Sequence, residues 1–140
     1  MTPASRSRRA STANNPCQEP PPPLLLRGIE QFNHGDFFEQ HETLELLWRQ
    51  ETRPVRALYQ GILQIGVAFH HLRRNNHHGM VYMLSRGIEY LKPFSPVCQG
   101  VDVAALIQAA SDALAEARDL GRKNLTDFDL RLVPRVECVR

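Results

Sequence analysis

The chain has no apolar run approaching the roughly 18–20 residues that a membrane helix needs, and no apolar secretory core follows Met1. Neither a membrane partner nor secretion is expected. Cysteine is sparse. Cys17, Cys98 and Cys138 are odd in number, far apart and without metal-knuckle spacing. They read as thiols in a reducing, cytoplasmic compartment rather than as a disulfide framework. Net charge is scarce too, once located. The +2 of the chain resides in residues 1–23, where Arg6, Arg8 and Arg9 outweigh Glu19, and the remainder balances 14 basic against 14 acidic residues. A neutral body lacks the accumulated positive face that phosphate-backbone binding rests on, so no nucleic-acid partner is expected. Asn124-Leu125-Thr126 fits the glycosylation pattern but means nothing without a secretory signal. Strand alternation and internal repeats are missing as well.

Residues 1–23, MTPASRSRRASTANNPCQEPPPP, are nearly free of large apolar groups and end in four prolines that favour extended backbone. They read as a disordered Arg/Ser/Pro-rich tail. The sharper alternative is an organelle-targeting peptide, which shares the Arg- and Ser-rich, acid-poor composition.

From Leu24 onward the apolar period is helical and never gives way to that of a strand. Leu25, Ile29 and Phe32 set a first helix from Leu24 to about Asn33. Gly35 suits the left-handed position after it, and Asp36 with Glu39 forms a capping box for a second helix, Phe37 to about Gln50. A third helix starts near Thr52, takes Pro54 in its first turn and reaches about Arg74, with Leu58, Ile62, Ile65, Phe69 and Leu72 as its stripe. Asn75-Asn76 end it. A fourth helix carries Met80, Met83, Leu84, Gly87, Ile88 and Leu91 on one face and stops before Pro93. After the loop PFSPVCQG, Asp102 caps a fifth helix, which closes at Gly121. The fold class is all-α: a single antiparallel bundle of about five helices with short loops over residues 24–121. An irregular segment, 122–140, is expected to pack on it.

The second helix carries polar residues where apolar ones belong. At about 100° per residue from Phe37, Trp48 falls near 20°, His41 near 40° and Glu45 near 80°. His41 is thus expected within the buried stripe, with Glu45 one turn on and in reach of its ring. On the third helix Gln60, Gln64 and His71 line up opposite the main stripe and could meet that pair, while His70 is rotated away beside Tyr59 and Leu63. The set reads as a buried polar anchor between helices two and three, in which loss of His41 would leave Glu45 buried and unpaired.

Gly35, the aromatics after it and then HETLELLW resemble the His-x-x-x-Glu-x-x-Trp signature of the bacterial and archaeal domain-of-unknown-function family three hundred and nine. His41, Glu45 and Trp48 fill its positions. The likeness runs from roughly Gln31 to Leu91, through ALYQGILQIGVAFHHLRRNN and GMVYMLSRGIEYL. It implies a helical fold and a site, and no chemistry.

Two function classes stand beside the structural anchor. His41 and Glu45 at i, i+4 can offer nitrogen and oxygen donors to a divalent metal ion, with His71 as a third ligand, in a metal-binding protein or metal-dependent hydrolase. The helix is no HExxH zinc-protease helix, since Glu45 stands where the second His would be. Nor is it a Glu-x-x-His bundle site, since Phe38 stands where that Glu would be. No cofactor is otherwise called for. No Ser or Cys is spaced for nucleophilic catalysis beside His41, no catalytic residue is assigned, and the reading favours a protein that is not an enzyme. The second class is an interaction module with a protein partner or a homo-oligomer, to which the exposed Leu46 on helix two is a pointer.

Overall fold

A computed structural model describes residues 15–139. Five helices dominate them: α1 (Pro23–Asn33), α2 (Phe37–Gln50), α3 (Arg56–Arg73), α4 (His77–Leu91) and α5 (Val103–Leu120). Each packs chiefly on its sequence neighbour: α1 on α2, α2 on α3, α3 on α4 and α4 on α5. The all-α reading stands.

Because α3 is flanked on both sides, it is the most deeply buried helix, with ten of its residues buried from Leu58 to Phe69. Its contact with α4 is made at backbone distance. A Cβ on Gly61 would lie 3.2 Å from the Gly87 carbonyl oxygen, and one on Gly87 would lie 3.1 Å from that of Gly61. Two glycines facing each other let the helices approach this closely, and Leu91 and Ile65 close over them.

The connections follow local chemistry, with corrections. Gly35 has φ +80° and turns the chain from α1 into α2, which a side chain would oppose. The capping box is not formed: Asp36 makes no side-chain cap bond. α3 begins at Arg56 rather than Thr52, since residues 53–55 form a separate turn whose carbonyls accept from Arg56, Ala57 and Leu58. Asn76 Oδ1 caps α4 at the Gly79 amide, and Asp102 Oδ1 caps α5 at the Ala105 amide, both at 2.9 Å.

The loop before α5 holds a minimal antiparallel hairpin, β1 (Val97–Cys98) and β2 (Val101–Asp102), in the register Val97↔Asp102 and Cys98↔Val101. Cys138 bridges to Val101 from the C-terminal segment. That segment buries Leu125, Phe128 and Val136, and Asn33 bonds both the amide and the carbonyl of Val136.

The cysteine reading is corrected. Cys17 and Cys98 are joined by a disulfide, and only Cys138 is free among the described residues. Sequence separation concealed this, since the pair stands 81 residues apart. With it goes the argument from thiols for a reducing compartment. The part of the expected tail that lies within the described residues, 15–22, is therefore a strap on the bundle; residues 1–14 lie outside the described range. Gln99 N–H donates to the Cys17 carbonyl at 2.8 Å, and Arg53 holds Glu19 through two bonds of 2.7 and 3.1 Å while also engaging Glu51. These bonds keep both carboxyls below their ordinary range.

The free thiol is pushed up by burial of its surroundings and by Glu137. Mass spectrometry after iodoacetamide at mildly alkaline pH, without reductant, should show a single adduct at Cys138. Three adducts should appear only after denaturation and reduction, and three before reduction would remove the strap's covalent tie.

Candidate functional site

On α2 the residues that turn inward are Phe37, Gln40, Leu44 and Leu47. This stripe is centred about 80° away from His41 on the helical wheel. The displacement has a simple cause. Gln40, a polar residue, occupies the middle of the buried face and is wholly inaccessible.

Its amide nitrogen donates to the Leu63 carbonyl of α3 at 3.1 Å. The space it occupies is the one vacated by a missing side chain, since a Cβ on Gly66 would lie 2.3 Å from Gln40 Nε2. Gln40 is thus the polar tie between α2 and α3. A second buried tie joins Tyr59 of α3, whose hydroxyl donates to Gln99 Oε1 at 2.7 Å, to the hairpin turn. Burial pushes the Tyr59 phenol up, against the opposing effect of that hydrogen bond.

The expected anchor is therefore corrected in position. His41 Nε2 and Glu45 Oε2 do pair, at 3.1 Å, but their side chains keep 36% and 33% of their exposure. Arg49 takes the other Glu45 oxygen, which makes a short polar row along the outside of α2. The pair lies in a shallow depression of about 350 Å³ with Phe38, Glu42, Leu46 and Arg49. Phe38 and Leu46, which both line this depression, are 54% and 49% exposed. Trp48 is partly buried and serves the α2–α3 connection instead. Arg56 stacks its guanidinium 4.0 Å above the indole and donates to the Trp48 carbonyl.

The expected neighbours on α3 are also displaced. The face of α3 toward α2 runs through Leu63, Gly66 and Phe69, with His70 at its outer edge, 6.2 Å from the Phe38 ring. The line Gln60, Gln64 and His71 lies about 140° further round. Gln64 is buried there with its Oε1 unpartnered among the described residues, and Gln60 is half-buried. His71 packs on Gly79 and faces Asn76, with Nδ1 3.3 Å from Nδ2. Burial first, then His70 and Arg74, push its pKa down. His70, which the helical wheel turns away, is the histidine on the α2 side.

The metal set His41, Glu45 and His71 is accordingly not gathered in one place. Among the described residues no three His, Cys, Asp or Glu side chains come together in a way that could hold an ion. Nor is any helix among them long and apolar enough to cross a membrane.

Fold and site thus define a small helical bundle with a polar pair and two apolar side chains on the outside of its second helix. Residues 25–83 match the family model described as Domain of unknown function (DUF309), and the chain resembles that family across α1, α2, α3 and the first half of α4. The match begins earlier than the likeness read from the motif and ends before Leu91. No curated protein matches the chain.

Gly66 supplies a direct check on the α2–α3 tie. Gly66→Ala should cost about 1–3 kcal/mol in urea unfolding, because the new methyl displaces a fully buried, hydrogen-bonded amide that has nowhere to retreat. A change indistinguishable from zero would mean that Gln40 is not held there.

Proposed function

We propose that this domain is a binding module, and that the outer face of α2 is where it meets a protein partner. The observation that carries this reading is the half-exposed His41–Glu45 pair set between two exposed apolar side chains, Phe38 and Leu46. A histidine and a carboxylate that served only to hold helices together would sit between helices, as Gln40 does. Phe38 and Leu46 offer apolar area for an anchor residue, of the kind that carries most of the energy in protein interfaces. Glu39, Glu42 and Glu45 outnumber Arg49 along this helix, so the complementary surface is apolar at its centre and basic at its rim.

A photo-crosslinking amino acid placed at Leu46 tests the reading in cells. The expected outcome is one discrete adduct that disappears on Phe38→Glu, while the variant keeps its melting temperature. The mass of the adduct distinguishes a second copy of the chain from a different protein. No adduct, or one that persists unchanged in Phe38→Glu, would refute the docking face.

A further inference from the structure

The C-terminal segment does more than cover the bundle. Where it crosses the α1–α2 turn and the end of α3, it leaves a cavity of about 620 Å³, in the size range of small-molecule sites. Its backing is aromatic. Phe37 and Phe69 lie 5.9 Å apart between ring centroids, and Phe69 and Phe128 lie 6.2 Å apart, so three nearly covered phenyl rings from α2, α3 and the C-terminal segment back the cavity, while Leu72, Leu130 and Val133 present its accessible apolar wall.

The charged groups that line this cavity are Arg73 and Arg135, with the His34 ring beside them and no carboxylate among the lining residues. Arg135 is shared with Glu137 at 3.3 Å. Arg73 is not shared. Its guanidinium lies 4.7 Å above the Phe37 ring and donates to the Gly35 carbonyl, and it makes no ion pair among the described residues. Gly35 makes this placement feasible, since a Cβ there would come within 2.8 Å of Arg73 Nη2. A guanidinium held in place beside an apolar wall is a receptor for a planar anion attached to an apolar body.

We propose that this cavity binds a small amphiphilic carboxylate, an acyl or arylalkyl acid. The apolar part rests on Leu72, Leu130 and Val133, over the edges of the covered phenyl rings, and the carboxylate meets Arg73. The site is separate from the outer face of α2 and does not depend on the docking role assigned to that face. The Arg-rich stretch near Met1 has the wrong sign of charge to occupy it.

Titration of the full chain with decanoate, decanol and decylammonium, followed by amide chemical shifts, tests the proposal. Decanoate should give saturable shifts at Gly35, Leu72 and Phe128. Decanol should bind about tenfold more weakly, the cost of one lost charge-assisted contact, and decylammonium should not bind. Arg73→Gln should weaken decanoate to the level of decanol and leave decanol unchanged. Thr126→Trp, an exposed wall position whose new ring would fill the cavity, should abolish both, which keeps the test intact should Arg73→Gln disturb folding. Absence of saturable shifts, equal affinity for acid and alcohol, shifts confined to the Phe38–Leu46 face, or decanoate binding that survives Thr126→Trp would each overturn it.

Discussion

The bundle depends on how closely its central helix is packed. α3 meets α4 where Gly61 and Gly87 face each other at backbone contact, and it meets α2 where Gly66 leaves room for one side-chain amide. A helix held this tightly on both sides cannot rotate or slide without colliding with its neighbours, because packed interiors leave few voids to absorb a shift. The register of the helices around it is set by that contact.

This packing also decides which polar residues can be inside. At the α2–α3 crossing there is space for one polar group, and Gln40 takes it with a main-chain acceptor supplied by Leu63. Tyr59 and Gln99 form an analogous pair where α3 meets the hairpin, close to the disulfide that fixes the strap. Buried polar groups are tolerated when paired, and these are paired on at least one atom. The His41–Glu45 pair is left on the outer edge of α2, where a half-exposed polar pair adds little to stability but is available to another molecule. On the proposed reading, structure and binding fall to adjacent residues of one helix, Gln40 and His41.

Helix number, order and most boundaries were legible in the residues, because apolar spacing on α1, α4 and α5 and the cap Asp102 report local chemistry. The inward face of α2 was not. Its centre is a glutamine, so a wheel that weighs apolar residues alone rotates the stripe toward Phe37 and Trp48 and draws His41 inside. Nor could spacing show the Cys17–Cys98 bond, which joins segments far apart in the chain, or the cavity built jointly by α2, α3 and residues after Leu120. These are tertiary facts. A signal for the first existed: Gln40 and Gly66 are the kind of complementary pair, one large amide and one missing side chain, that a contact between helices would select.

The most direct test is a comparison by denaturant unfolding of Gln40→Ala with the double variant His41→Ala/Glu45→Ala. Removing the buried amide should cost roughly 2 kcal/mol or more, since it leaves both a cavity and an unmet interhelical contact. Removing the half-exposed pair should cost about 1 kcal/mol or less. The reverse order, with the double variant the more damaging, would contradict the account and return His41 and Glu45 to the interior.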